Sequence, residues 1–182
     1  MTATPSTPST PLTTAGGILI DGLTRSRDGA REAVDGLTPA QLAHRVDTEA
    51  NTIAWLVWHS ARVQDSHVAE ADGSEQLWLA DGWVDRFGFD LERDDTGYGH
   101  TPEQVAAVSV DSPELLVEYF DAVHQRTVAY VATLDDDAVA AIVDERWTPP
   151  VTLAVRLVSV IDDCAQHIGQ AAFVRGLIER AG

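Results

Sequence analysis

Residues 151–177, VTLAVRLVSVIDDCAQHIGQAAFVRGL, form the stretch of sequence that decides the fold. Apolar residues recur along all of it without a turn signal, which predicts one long and mostly buried helix. Val, Ile and Thr are common at its start, so a short β-strand over 151–161 is the alternative. We favour the helix because no nearby segment is expected to pair with such a strand. Asp163 and His167 interrupt the apolar pattern, and polar side chains avoid such surroundings unless a partner binds them.

The spacing of these two residues suggests a metal site. Asp163 and His167 are four residues apart, so on a helix their side chains share one face and can bind one ion. His59, in an apolar and tryptophan-rich segment, is either a core histidine or a third ligand. Two histidines and a carboxylate are a known ligand set for catalytic zinc, with at least one coordination position open. With neutral imidazoles the site would keep one positive charge and favour an anionic ligand such as a thiolate.

Other polar residues compete for a place in this site. Asp162 is about 140° around the helix from His167, so we expect it at the surface or supporting a ligand without binding the metal itself. Cys164 is a stronger rival because a thiolate is a good zinc ligand, although a lone buried cysteine is more often simple packing. His124 could line the same cavity. The other histidines are expected to be exposed or in loops: His44, His67 and His100.

Three more segments show helical periodicity, at about 17–36, 52–72 and 111–134. Thr38-Pro39 and Thr101-Pro102 each predict the start of a short helix, with threonine as N-cap and proline in the first position. The long connection at about 73–110 is of the kind that often lines or covers a site. The sequence therefore predicts an all-α four-helix bundle with a long crossover between its second and third helices. We expect residues 15–182 to form one domain and residues 1–14 to be a disordered tail.

Composition excludes several classes of function. The chain has 29 acidic and 12 basic residues and a net charge of -17, which opposes binding to nucleic acid or to anionic membranes. No stretch approaches the roughly 20 apolar residues of a membrane span. No G-x-S-x-G motif or glycine-rich phosphate loop occurs. The single cysteine allows no internal disulfide and fits a reducing cytoplasm, where we expect the protein to be. The oligomeric state is left open, a homodimer included.

Two segments resemble a known family. Residues 51–59, NTIAWLVWH, with His67, are similar to the second helix of the DinB-like superfamily, and residues 167–177, HIGQAAFVRGL, to its fourth. Residues 83–89 and 96–102 resemble the actinobacterial branch that contains mycothiol S-transferases. The resemblance covers nearly everything after the tail.

The resemblance implies a divalent metal, with zinc the expected ion. The superfamily usually holds the metal with three histidines, one from the second helix and two from the fourth. This chain has Asp163 in the middle position, as the related mycothiol-dependent maleylpyruvate isomerases have a carboxylate there. Those isomerases carry an additional domain for which this chain is too short, so a conjugating transferase fits better. The implied ligands are His59, Asp163 and His167.

The function expected from this resemblance is the conjugation of mycothiol, activated as a thiolate by the metal, to electrophilic small molecules in detoxification. No catalytic side chain beyond the ligands is required. We expect Trp55 to line the substrate pocket and Gln170 to orient a ligand. Arg62 either contacts the cofactor or substrate or forms a surface salt bridge. Two alternatives stay open: a non-catalytic metal- or small-molecule-binding stress protein, and a bundle without metal in which Asp163 and His167 bond only to each other.

Overall fold

The computed structural model describes residues 14–181. Four long helices form the frame, and shorter elements fill the connections between them. In chain order the elements are α1 (Ala15–Val34), α2 (Pro39–Leu42), α3 (Ile53–Asp72), α4 (Leu77–Ala80), α5 (Trp83–Phe87), α6 (Pro102–Ala107), α7 (Pro113–Val131), α8 (Asp136–Ala140), β1 (Ile142–Asp144), β2 (Val151–Thr152) and α9 (Leu153–Ala181).

The long helices α1, α3, α7 and α9 pack as a closed bundle. Helix α3 contacts α9 and α7, and helix α1 contacts the same two helices from the other side. Helices α3 and α9 run antiparallel, because Ser60 contacts Cys164 whereas His67, further along α3, contacts Arg156, earlier on α9. The predicted all-α four-helix bundle with a long crossover is therefore confirmed. Within residues 14–181, no helix has both the length and the apolar character needed to cross a membrane.

Helix starts follow the capping signals of the sequence. Thr38 and Thr101 each cap a short helix ahead of a proline, as predicted, and both also form complete capping boxes. Thr52 caps α3 by accepting a hydrogen bond from the backbone N–H of Trp55. Thr14 caps α1, so the last residue assigned to the disordered tail belongs to the folded bundle. The rest of that tail, residues 1–13, lies outside the described residues.

We expected no strand partner for residues 151–161, and this is wrong for Val151 and Thr152. Strand β1 pairs antiparallel with β2, with Ile142 opposite Thr152. Helix α9 then begins at Leu153 and continues to Ala181, so the helical prediction is right for the rest of the stretch. The hairpin escaped sequence reasoning because strands of two and three residues are too short to show an alternating pattern.

The crossover between α3 and α7 packs as an aromatic layer on the bundle. Trp78 contacts Trp58 edge-on, and both Trp78 and Trp83 lie with ring centroids 5.3 Å from Tyr119 of α7. Burial of such large rings contributes strongly to stability. Residues 94–100 of the crossover lie against α3, where Arg62 and His59 bind their carbonyl oxygens.

Candidate metal centre

The structure brings His59, Asp163 and His167 together at the interface of α3 and α9. One potential ligand atom from each residue lies within 4.8 Å of the other two, so that small side-chain rotations would bring all three to one ion. His59 is buried and the other two are half-buried. The register is set next to the site, where the Cys164 thiol donates to the carbonyl of Ser60 at 3.5 Å.

Both imidazoles are fixed with one nitrogen free. His59 Nδ1 lies 2.5 Å from the carbonyl oxygen of Thr96, and His167 Nδ1 lies 2.9 Å from the carbonyl oxygen of Asp163. A carbonyl oxygen only accepts, so each Nδ1 carries the proton and donates it. Each Nε2 then has a lone pair for a metal, which is the usual arrangement behind metal-bound histidine.

The carboxylate of Asp163 lacks a partner that a cation would supply. Its Oδ2 atom is buried and has no hydrogen-bond partner within residues 14–181. Burial of such an atom is costly unless an ion or donor compensates it. Its Oδ1 atom lies 4.0 Å from His167 Nδ1, which is too long for a hydrogen bond. The geometry therefore does not favour the alternative in which the two side chains only bond to each other, and the residues present fit a divalent cation.

The surroundings keep His59 neutral and oriented. Burial lowers the pKa of His59, and the neighbouring His167 lowers it further, while the hydrogen bond to Thr96 opposes the shift. Metal binding requires the neutral imidazole, so a lowered pKa extends the pH range in which His59 can act as a ligand. Trp55 stacks on the His59 ring with centroids 4.5 Å apart and planes inclined by 13°. The Trp55 centroid is also 5.9 Å from that of His167, so its indole forms a wall of the site.

Two residues considered as additional ligands lie outside the ligand cluster. Cys164 is fully buried, burial raises its thiol pKa, and it is not part of the three-residue cluster. It packs between the helices and is not a zinc ligand of this cluster, which is the more common role of a lone buried cysteine. His124 is also outside the cluster: its Nε2 lies 3.4 Å from Thr24 Oγ1 on α1, and burial lowers its pKa to about 4.

Arg62 is neither at the surface nor directed to the ligands. Its side chain is fully buried, so the alternative of a surface salt bridge is wrong. It donates to the side chains of Asp65, Gln76 and Tyr119. It also donates to two carbonyl oxygens of the crossover, those of Asp94 and Asp95. The guanidinium thus ties the crossover to α3 one turn after His59.

Gln170 lies one turn beyond His167 and is exposed. It makes no hydrogen bond to any residue of the described chain, so the structure leaves its proposed role in orienting a ligand without a contact. Its side chain is free to meet a molecule that approaches along α9.

His100 is the functional candidate that sequence reasoning missed. It lies in a loop, as expected, but its side chain is only 3% exposed. Its Nδ1 accepts from the indole N–H of Trp55 at 3.0 Å, and its Nε2 is 2.9 Å from the Asp95 carboxylate. The only signal in the sequence was its position directly after Gly99, in a loop that also contains Gly97. Of the other two, His44 is exposed and His67 is half-exposed beside Arg156.

Comparison with known proteins agrees with the fold and identifies a family. A crystal structure described as that of a conserved protein from Enterococcus faecalis is 32% identical to this chain and superposes with a TM-score of 0.84. The match covers 90% of this chain and 96% of that one. Among curated proteins nothing matches. The family model described as mycothiol-S-transferase matches residues 18–180, and the chain therefore belongs to the mycothiol S-transferase family of DinB-like proteins.

Proposed function

We propose that this protein is a metal-dependent S-transferase that conjugates mycothiol to electrophilic small molecules. The observation that supports this most is the donor set itself. His59 and His167 each present a free Nε2, and Asp163 presents a buried oxygen without a partner. A site with three protein ligands and an open position is typical of catalytic rather than structural zinc. Two imidazoles and one carboxylate are a known ligand set for catalytic zinc, and zinc is the ion that we propose.

The bound metal would supply one piece of chemistry, the stabilisation of the thiol sulfur as a thiolate near neutral pH. The chain's own groups prepare the site for it. The carbonyl of Thr96 fixes the tautomer of His59, and the carbonyl of Asp163 fixes that of His167. The Trp55 indole covers one side of both imidazoles and keeps water from that side.

The reaction balances without a protein nucleophile. The thiol loses its proton to solvent, the sulfur forms a bond to an electrophilic carbon, and a leaving group such as bromide departs with its electron pair. The fully buried Cys164 takes no part, because its thiol neither reaches the surface nor joins the ligand cluster. Low-molecular-weight thiol and electrophile are thus the two substrates of this proposal.

Contacts with the substrates are assigned to the residues around the open position. We propose that Trp55 packs against the electrophile and that Gln170 meets the polar part of the thiol, because it is exposed one turn from His167. Arg62 supports the site indirectly, through the crossover carbonyls that it binds. His124 packs against Thr24 of α1, and we assign it no contact with substrate.

The proposal is tested with purified protein loaded with zinc, mycothiol and monobromobimane as the electrophile. We expect thioether formation that requires both metal and thiol, and that falls to background in His167→Ala and Asp163→Ala. The matched control is His44→Ala, which removes an exposed histidine and should leave the rate unchanged.

Two outcomes would contradict the proposal in different ways. Zinc-loaded protein without thiol-dependent product would refute the transferase and favour the alternative, a non-catalytic metal-binding protein. Equal zinc content in His167→Ala and the parent would show that these residues do not form the metal site.

A further inference from the structure

We propose that His100 and Asp95 are positioning residues of the metal centre, and that they act on His59 through Trp55. The inference rests on the proposed function only in taking His59 as a metal ligand. Neither residue belongs to the ligand cluster, and both lie in the loop of residues 94–100 that the crossover presses against α3.

The three side chains form a hydrogen-bonded chain with a defined direction. The indole N–H of Trp55 can only donate, so His100 Nδ1, 3.0 Å away, must accept. The proton of neutral His100 is therefore on Nε2, which lies 2.9 Å from both carboxylate oxygens of Asp95. Asp95 is itself fixed, because its Oδ1 accepts from the backbone N–H of Gly97 at 2.7 Å. Each group can play only one role, so the chain specifies a single orientation of the indole.

The orientation of the indole determines that of the ligand. Trp55 and His59 are stacked nearly parallel at 4.5 Å, so rotation of the indole would open a gap over the imidazole or collide with it. His100 is itself stacked near Trp58 at 6.0 Å and 25°, which leaves its ring little freedom. Packing in a core tolerates few alternative rotamers, and the constraint on Trp55 therefore passes to His59.

The loop that carries His100 is anchored at three successive carbonyl groups. Arg62 binds those of Asp94 and Asp95, and His59 binds that of Thr96. The next residue must be glycine, because Gly97 has φ +92° and a Cβ there would lie 2.9 Å from His59 Nδ1. His59 is thus held at its edge by the loop backbone and on its face by Trp55.

The expected effect is a change in metal affinity. Residues that do not touch the metal but orient its ligands typically contribute 10–100-fold to metal affinity. Replacement of His100 with leucine leaves the indole N–H of Trp55 and the carboxylate of Asp95 without their partner, so Trp55 no longer has a fixed plane. Glutamine is the conservative control, because its side-chain oxygen can accept from Trp55 while its amide donates to Asp95.

The test measures Co²⁺ dissociation constants by chelator competition, together with the visible absorption of the bound ion. We expect His100→Leu to weaken Co²⁺ binding by about 10–100-fold and to alter its spectrum. His100→Gln should stay within about threefold of the parent with the parent spectrum. Trp55→Phe keeps a ring over His59 and removes the N–H, so the double variant Trp55→Phe/His100→Leu should bind no more weakly than the weaker single variant.

Several results would overturn the proposal. One is a Co²⁺ affinity of His100→Leu equal to that of the parent. Another is a double variant in which the losses of Co²⁺ affinity of the two single variants multiply. If His100→Leu does not fold, ¹⁵N NMR of the metal-free parent still decides, because a proton on Nδ1 of His100 contradicts the chain. Failure of the proposed function looks different: the parent then binds Co²⁺ but forms no thioether, and the comparison of variants is unaffected.

Discussion

Two polar clusters include residues of α3 about one turn apart, His59 and Arg62, and the clusters differ in how completely their atoms are paired. The first is the ligand cluster of His59, Asp163 and His167, in which a carboxylate oxygen has no partner in the described chain. The second is the anchor cluster of Arg62, Asp65 and Tyr119. Asp65 there accepts from Tyr119, from Arg62 and from the backbone N–H groups of Leu77 and Trp78.

The difference separates a structural role from a functional one. The anchor cluster is closed: its charges neutralise each other, and Asp65 supplies the N-terminal cap that α4 lacks in its own sequence. Burial also raises the pKa of Tyr119 well above its usual value, so its hydroxyl stays a donor. The ligand cluster is open, because Asp163 Oδ2 has no partner among residues 14–181. A bound cation would supply that partner. A buried polar group is thus a candidate site when its neighbours leave it unsatisfied, and a fold determinant when they do not.

The largest effect should follow disruption of the closed cluster. We expect Asp65→Ala to lower the free energy of unfolding by about 3–5 kcal/mol, because it leaves the buried Arg62 without its carboxylate. Urea unfolding of the metal-free protein measures this. The matched control, Asp163→Ala, should change the stability of the metal-free protein by less than about 1 kcal/mol. Equal losses in the two variants would remove the distinction between the clusters.

Metal addition should have the next largest effect and should act only through the open cluster. Zinc at about 100 times its dissociation constant should stabilise the parent by about 2.7 kcal/mol, since only the folded chain assembles the ligands. His167→Ala should lose this stabilisation under the same conditions. Asp65→Ala, if it folds, should keep a metal-dependent increase. Thermal unfolding with and without zinc decides the matter, and an equal rise in His167→Ala would contradict the assignment.

His124 tests whether an unpaired buried nitrogen is enough to mark a site. Its Nδ1 lacks a partner in the described chain, yet His124 belongs to no group of three potential metal ligands among residues 14–181. Burial lowers the pKa of His124 to about 4 from 6.5, so the unfolded chain takes up its proton first as the pH falls. Above pH 6.5 the ring is neutral in both the folded and the unfolded chain, so its lowered pKa does not affect stability. As the pH falls from 6.5 to 4, the free energy of unfolding falls progressively.

The loss should reach about 2 kcal/mol relative to His124→Gln, which does not titrate. We would measure urea unfolding of both proteins at pH 7.5 and pH 4.5, and compare their difference at each pH. Because His124 lies outside the ligand cluster, zinc affinity at pH 7.5 should be the same in both. A difference in stability that is constant with pH would contradict the buried neutral histidine.

The smallest effect concerns Cys164, which lies beside the open cluster without joining it. Cys164→Ala removes one weak hydrogen bond to Ser60 and a small buried volume, so we expect a loss of about 1 kcal/mol. Zinc affinity and thioether formation should stay at the level of the parent. A large fall in zinc affinity with intact folding would show that the thiolate is a ligand after all.

Local signals in the sequence predicted most of the frame. Thr38 and Thr101 marked the starts of short helices that the structure has at Pro39 and Pro102, because capping depends only on neighbouring residues. The pairing of Asp163 with His167 also followed from local geometry, the four-residue spacing on a helix. That these residues bind a metal stays a prediction.

The features that escaped prediction depend on contacts distant in sequence. Arg62 carried no sign that its charge would be buried, because all of its partners except Asp65 come from α7 and from the crossover. His100 is 45 residues from the indole that it holds, in a loop without periodicity. The β1–β2 hairpin depends on the packing that brings two very short segments side by side. No local rule reports such contacts.

The exposed loop of residues 145–150, between the two strands, divides the ligands unequally. Everything before it carries His59, and the single helix after it carries Asp163 and His167. A protease that cut this loop would turn one chain into two fragments, each with an incomplete site. In the proposed function, zinc would bridge the fragments and strengthen their reassembly, so the protein could be rebuilt as a two-part reporter whose association responds to the concentration of free zinc.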